Sequence, residues 1–481
     1  MTKFYLPGRI GVIAASAVYL VLSACVTSPP SAKPAAAVPP PPSPPPGFGK
    51  GYNHDPFPST YKPYPGVPTL VRNVTVFDGE GGRIDHGAVL FADGKIVQVG
   101  QDIAVPDGAA VIDGTGKWLT PGIIDVHSHI GGSTLNVAAE NDINEMTSPV
   151  TPGVWVEHSV WPNDPGFIRD LTNGGVTTLQ VLPGSGNLFG GRSVVLKNVY
   201  ARTIQGMKFP GAPYGLKMAC GENPKRFYGS KGQLPSTRMG NIELDRETWA
   251  KAVEYKRKWD HYEEKGGDPP ARDLGMDTLR GVLSGEILVH NHCYRADEMA
   301  NMIDVSKEFG YHVTAFHHAI EGYKIADLLQ KNGICAAVFA DQFGFKMEAY
   351  DGINENMALL FKAGACVMIH SDEHNGAQHL NQEVGKAIAA GRRAGIDIPD
   401  ETAWRFLSYY PSKALGISDK TGSLRAGKMA DIVLWNGNPF SVYTRPEKVW
   451  IDGAMLYDSN NPKLHPVPDF ELGQPGEGEV K

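Results

Sequence analysis

The stretch Trp118-Leu-Thr-Pro-Gly-Ile-Ile-Asp-Val-His-Ser-His129 constrains this chain more than any other. Pro121 and Gly122 make a turn, and Ile123, Ile124 and Val126 form a short apolar run that reads as a buried strand. His127 and His129 stand two apart at its end. Alternate residues of a strand face the same way, so both imidazoles project together from the strand mouth. Two convergent imidazoles are half of a metal site. An isolated His-x-His could equally be a hydrogen-bonded structural pair, but its place directly after Pro-Gly-Ile-Ile-Asp favours the metal.

Size leaves room for a large core and more than one domain: the chain has 481 residues. A hydrophobic share of 42% and a charged share of 20% are those of a globular protein. The net charge of −7 gives no basic footprint for nucleic acid. The five cysteines (Cys25, Cys220, Cys293, Cys335 and Cys366) are an odd set without a C-x-x-C pair. That spacing indicates neither a disulfide framework nor a cysteine-based zinc site.

Residues 1–25 read as an export signal: Lys3 and Arg9, then an apolar core from Ile10 to Leu22. They end in Leu22-Ser23-Ala24-Cys25, which resembles a bacterial lipobox and implies cleavage before Cys25 and lipidation of that residue. The expectation is an exported lipoprotein held at a membrane by its lipid, at the outer membrane if the host has one. Residues 26–66, rich in Pro, Ala and Ser at their start, read as an extended tether. Short strands punctuated by Asp-Gly turns make residues 67–122 a small β segment. A second β segment at residues 421–465 is expected to join it, followed by a polar tail at 466–481.

Between them, residues 123–420 alternate short apolar strands with helical segments. Candidate strands begin at Thr177, Gly215, Ile287, His312, Cys335 and Cys366. Repeated β-α units over this length predict an α/β fold with a (β/α)8 TIM barrel; an open doubly wound sheet is the alternative. Polar residues at strand C-terminal ends favour the barrel, since that is where barrel sites are built. Residues 222–285 interrupt the rhythm as a long loop with a charged helix near Arg246–Lys265.

Strand ends carry further donors: His290-Asn-His292, His317-His318 and His370-Ser-Asp372, with Lys217 inside Gly215-Leu-Lys-Met. A lone histidine beside an apolar strand is more often a satisfied core residue than a ligand. The ordered set is stronger, because divalent metals need several N and O donors on rigid supports.

The Leu-Thr-Pro-Gly-Ile-Ile-Asp-Val-His-Ser-His stretch resembles the amidohydrolase superfamily. So do Gly174-Gly-Val-Thr-Thr178, the Val-His-Asn-His strand, His-His-Ala, His-Ser-Asp and the closing Gly427-Lys-Met-Ala-Asp-Ile-Val-Leu-Trp435. The pattern is most similar to the imidazolonepropionase-like and Xaa-Pro dipeptidase-like branch. The resemblance implies a distorted barrel with a composite β-sandwich and one or two divalent metals, zinc first among them. By position, the implied ligands are His127, His129, His290, His318 and Asp372. Lys217, if carboxylated, would bridge two metals; an unmodified ammonium is no ligand, Glu222 is a substitute, and a one-metal site is the alternative.

A metal would lower the pKa of its water, and the hydroxide would attack a carbonyl while Asp372 shuttles the proton. His292 is a second histidine placed to touch substrate. Backbone amides near Pro183–Asn187, together with Arg192, Arg226 and Tyr228, are candidates for substrate binding. The expected activity is hydrolysis of a C–N bond in small peptides or N-acyl amino acids. Two alternatives stay open: a cyclic-amide hydrolase or deaminase on the same scaffold, and a tethered binding protein with a vestigial site.

Overall fold

The structure, a computed structural model, describes residues 54–133, 142–372 and 376–468. The export signal, Cys25, the tether up to residue 53 and the tail from residue 469 lie outside the described residues.

Five strands come first: β1 (Thr69–Phe77), β2 (Arg83–Ala92), β3 (Lys95–Gly100), β4 (Ala110–Asp113) and β5 (Trp118–Pro121). Eight barrel strands follow: β6 (Ile123–Ser128), β7 (Val176–Val181), β8 (Phe189–Lys197), β9 (Gly215–Ala219), β10 (Leu288–Cys293), β11 (Val313–His318), β12 (Cys335–Val338) and β13 (Cys366–Ile369). The last three are β14 (Ile432–Trp435), β15 (Pro446–Ile451) and β16 (Ala454–Asp458).

The first five and the last three strands form one eight-stranded sheet. Its junction is β5 against β14, antiparallel, with Trp118 opposite Trp435 and Pro121 opposite Ile432. The two motif pieces quoted from opposite ends of the catalytic region are therefore bonded neighbours. The sheet curls so that Ile96 of β3 exchanges backbone bonds with Gly427 and Lys428, just before β14. Val71, Val76, Phe91, Leu119, Leu434 and Trp450 fill the space inside this fold.

The barrel strands follow the order β6 to β13 without a crossover. Its ends meet just past β13, where the Asp372 amide donates to the His127 carbonyl at 3.0 Å and Ser371 Oγ donates to Asp125 Oδ2 at 2.5 Å. The expected (β/α)8 architecture is present, with a distortion at one strand. β8 pairs antiparallel with both β7 and β9. Chain length explains the reversal. β7 ends at Val181 and β8 starts at Phe189, too short a connection for a parallel crossover, so the chain turns back as a hairpin. Gly190 and Gly191 break the apolar run in β8, and Gly191 has φ +107°, which hides the strand from a pattern reading.

The long segment after β9 is helical. Helices Glu222–Gly229, Arg238–Lys265 and Leu274–Leu283 occupy the barrel's fourth connection. Trp249 on the long helix is fully buried and stacks on Tyr311 at 4.1 Å.

The cysteine reading needs correction. Cys220–Cys293 and Cys335–Cys366 are disulfide-bonded, with Cα separations of 5.3 and 4.5 Å. Pairing follows from strand register and not from sequence spacing: Cys335 and Cys366 are direct partners across β12 and β13. Cys293 ends β10, and Cys220 follows β9 beside it. Under denaturing, non-reducing conditions, alkylation followed by mass spectrometry is expected to label none of these four thiols, and all four after reduction. Labelling of any of the four before reduction would count against the bridges.

Candidate metal centre

The barrel's C-terminal end gathers the imidazoles. His127, the fifth residue of β6, is fully buried, and its Nε2 lies 3.1 Å from Asp372 Oδ1. His129, just past the strand, places Nε2 3.4 Å from the same oxygen and fixes its ring through Nδ1 on the Leu182 carbonyl at 2.9 Å. His318 Nδ1 stands 3.8 Å from Asp372 Oδ2. Two groups of donor atoms are close enough to share an ion: His127 with His129 and Asp372, and His127 with His318 and His370.

His370, placed by the sequence among the strand-end donors but not among the implied ligands, follows β13 and stacks on His127 with centroids 5.0 Å apart. Its signal was present in His370-Ser-Asp372, where the histidine stands next to the strand end and two residues before the aspartate. Two residues of the centre, His318 (φ 73°) and Asp372 (φ 58°), adopt left-handed backbone. For non-glycine residues that conformation is uncommon and clusters at functional sites.

Lys217 is fully buried on β9. Its Nζ donates to the Pro183 carbonyl at 3.0 Å and lies 3.4 Å from His127 Nε2. Burial pushes its ammonium down to about 8, with Asp372 opposing. His290 is not part of either donor group. Its Nδ1 meets His317 Nε2 at 2.9 Å, and His317 Nδ1 meets His127 Nδ1 at 2.9 Å, so three buried rings form a chain. His292 lies beside His318, with ring centroids 4.4 Å apart. Its Nε2 is 3.4 Å from Asn223 Nδ2. The Asn223 Oδ1 accepts from Lys346 at 2.9 Å, which orients the amide and makes His292 Nε2 the acceptor.

Of the three residues offered for substrate, Arg192 and Tyr228 are engaged within the protein, while Arg226 is near enough to Lys346 for its charge to act there. Arg192 is buried inside β8, with Nε donating to Thr278 Oγ1 at 2.8 Å and its guanidinium over Trp155 at 4.1 Å. It lines a separate cavity of about 610 Å³ with Phe57, Trp155 and His158. Tyr228 is fully buried, and its hydroxyl donates to the Ser148 carbonyl at 2.7 Å, anchoring its helix. Arg226 is exposed on that same helix. Glu222 reaches Lys346, at 4.0 Å.

Among the described residues, several buried ring nitrogens of the cluster lack a hydrogen-bond partner, a role that a metal could fill. Both ring nitrogens of His318 and of His370 are buried without a hydrogen-bond partner among the described residues, as are His290 Nε2 and His292 Nδ1. Leaving a buried polar atom unsatisfied costs about 1–3 kcal/mol each, and six in one cluster make sense as a site completed by a ligand. Burial lowers His127, His290, His292, His317, His318 and His370, with His370 down to about 4 and His290 to about 3. They are therefore neutral near pH 7, the form that binds metal. Burial works against ionising Asp372, but the neighbouring His318 and His129, the latter through a hydrogen bond as well, outweigh it and hold the carboxyl well below its usual range. The donor set suits a divalent ion.

The sequence profile of the amidohydrolase family matches residues 118–456. The chain belongs to the amidohydrolase family. It is 32% identical over 433 residues to the amidohydrolase tasK of Hapsidospora irregularis, covering 82% of this chain and 43% of that protein. The chain thus spans less than half the length of that relative. The crystal structure of an amidohydrolase from Thermotoga maritima superposes with a TM-score of 0.75 at 35% identity, covering 81% of this chain and 100% of the other. An imidazolonepropionase from Mesorhizobium japonicum is 24% identical over 402 residues, covering 76% of this chain and 90% of that protein. This amidohydrolase is therefore a metal-dependent hydrolase built on a distorted barrel.

Within it, replacing His370 removes a donor from one of the two groups. The His370→Ala protein is expected to hold its metal at least about tenfold more weakly, read by competition with a chromogenic chelator. Unchanged affinity would make His370 a packing residue.

Proposed function

We propose that this amidohydrolase cleaves the C–N bond of N-acyl amino acids or small peptides, with Asp372 as the proton carrier. The observation that carries the reading is the Asp372 carboxylate, set 3.1 and 3.4 Å from the Nε2 atoms of His127 and His129. It is also partly open, at 29% side-chain exposure, so a reacting group can reach it. His127, His129, His318, His370 and Asp372 would hold a divalent ion, for which zinc is the first choice of this donor set. When bound, such an ion polarises a carbonyl and lowers the pKa of water.

The chain's own residues do the rest. His129 is held by the Leu182 carbonyl, so its Nε2 stays aimed at the centre. Asp372, ionised at neutral pH, takes the proton from the attacking water and returns it to the leaving nitrogen. Its two imidazole neighbours keep the carboxylate in place between these transfers. Lys217 is the residue for carbon dioxide to modify. Its ammonium, near 8 through burial, yields enough free amine at neutral pH to form a carbamate. That carbamate would serve a second ion together with His290. Export and lipid anchoring through Cys25 complete the proposal. The two disulfides support it, since such bonds persist in oxidising compartments.

Metal content and turnover test this reading together. The purified protein is expected to hold about two ions, falling in Lys217→Ala; about one ion, unchanged in that variant, would leave Lys217 without a bridging role. Asp372→Asn is expected to lose at least ~100-fold in kcat on an N-acyl amino acid. Near-normal turnover with metal retained would remove Asp372 from proton transfer. Release of ammonia from amino-heterocycles, with no cleavage of acyl amino acids, would move the assignment to deamination.

A further inference from the structure

One cation stands above the histidine cluster with no part in it. Lys346 follows β12 and approaches the centre from the side of the helix Glu222–Gly229. Its Nζ lies 3.9 Å from the centroid of the Tyr294 ring. Tyr294 in turn stacks on His318 at 4.9 Å, with planes 10° apart. The same Nζ donates to Asn223 Oδ1, whose amide nitrogen faces His292. Lys346 is thus separated from two of the central imidazoles by one side chain each.

Among the described residues the charge on Lys346 is only partly matched: burial and Arg226 oppose it, while Glu222, Glu348 and Asp372 favour it. Its hydrogen bond to Asn223 is to a neutral amide oxygen. Glu222 Oε1 stands at 4.0 Å, beyond hydrogen-bond distance. Glu348, two residues on, is engaged by Arg238. An ammonium has three donors, and among the described residues only Asn223 takes one in a hydrogen bond, so a ligand could take the others in competition with Glu222. About 13% of the side chain stays accessible, enough for an anion to reach it and little enough to strip water from the pair. The adjacent ring is apolar and open: Phe345 is 57% exposed and lies 6.3 Å from Tyr294. A cation beside an exposed aromatic surface, one side chain from the reacting centre, fits an anion carried next to an apolar group.

We propose that Lys346 receives the free carboxylate of the substrate, with Asn223 and the Tyr294 ring holding the ammonium in place and Phe345 covering the neighbouring side chain. The substrate class is then acyl amino acids and short peptides whose terminal carboxylate lies next to the scissile amide, with an apolar residue at that position. This rests on the amide-hydrolase reading above. It adds that the enzyme discriminates by charge, a distinction that a buried, partly unpaired cation enforces because a neutral ligand leaves it desolvated without a partner.

The probes are N-acetyl-L-phenylalanine and its carboxamide, which differ in the carboxylate. With metal-loaded protein, the ratio of kcat/KM for acid over carboxamide is expected to fall by roughly 10–100-fold in Lys346→Met. Lys346→Arg is expected to restore part of it. Calorimetric binding of the same two compounds is the second readout and does not need turnover: the acid is expected to bind more tightly than the carboxamide, and Lys346→Met to abolish the difference. Metal content and thermal midpoint, measured alongside, exclude a folding defect. If neither compound is cleaved while the charge-dependent binding difference persists and disappears in Lys346→Met, the amide-hydrolase reading fails and the carboxylate assignment stands. If cleavage occurs but the ratio and the binding difference are the same in Lys346→Met as in the parent, the carboxylate assignment is overturned and the hydrolase reading stands.

Discussion

The metal centre depends on how the barrel is closed. Asp125 is fully buried in β6, and its carboxylate accepts from Ser371 Oγ at 2.5 Å, Ser371 N at 3.3 Å and His127 N at 3.1 Å. These bonds draw the end of the last barrel strand onto the first. They set the Asp372 carboxylate over His127 and His129, which belong to the strand at the other end of the sheet. Burial pushes the Asp125 carboxyl up to about 7, against the pull of those three bonds. Each bond is worth only about 1 kcal/mol net, or somewhat more to a charged acceptor. Removing the acceptor would strand several donors at once in a dry interior, which is the costlier event. The Asp within Pro-Gly-Ile-Ile-Asp-Val-His is therefore a clamp for the site and not one of its ligands.

A second buried charge joins the barrel to the curled sheet. Lys197 on β8 meets Asp452 Oδ2 at 2.7 Å and Asp431 Oδ1 at 3.1 Å, with all three side chains almost wholly buried. Thr421 donates to Asp431, and Tyr61 donates to Asp452. Asp431 is the aspartate of Lys-Met-Ala-Asp-Ile-Val-Leu-Trp, so that motif fixes the sheet against the barrel while its apolar residues pair with β5. Such a network contributes less to net stability than its Coulomb energy suggests. What it does is tie one lysine of β8 to an aspartate just before β14 and to another between β15 and β16. Gly122 plays a steric part at the same junction. A Cβ there would lie 2.0 Å from Thr177 Oγ1, so the Pro-Gly turn and the Gly-Val-Thr-Thr strand are two halves of one close approach.

Much of this was legible in the sequence. Apolar runs marked six barrel strands beside β6, three of them running into histidine, and the strand ends supplied His127, His129, His318 and Asp372 to one centre. What escaped was whatever depends on neighbours distant in sequence. β8 carries glycines where a strand should be apolar, and only the shortness of its hairpin betrays it. The disulfides link cysteines on adjacent strands, a relation that spacing along the chain does not encode. Arg192 looked like an anion binder because its strand was read as a loop; with the strand in place, the guanidinium turns into the protein. Lys346 gave no signal at all, since a lysine in a loop acquires meaning only from the rings and amides that surround it.

The chain of three histidines limits how the centre can be filled. A neutral imidazole carries one proton. For His127 to offer Nε2 as a ligand, its proton must sit on Nδ1 and be donated to His317 Nδ1. His317 then carries its own proton on Nε2 and donates it to His290 Nδ1. That leaves the His290 proton on Nε2, where the atom cannot ligate. The hydrogen-bonded arrangement thus agrees with one ion held by His127, His129 and Asp372. A second ion that used His290 through Nε2 would require its proton to leave, and with Nδ1 committed to accepting from His317 it has no place on the ring. His290 must therefore give up His317 for the two-ion form, and His317 becomes the residue whose hydrogen bonds separate the two states. Carboxylation of Lys217, 3.4 Å from His127 Nε2, would supply a negative charge beside this exchange, and modification of the lysine would then go together with rearrangement of the histidines.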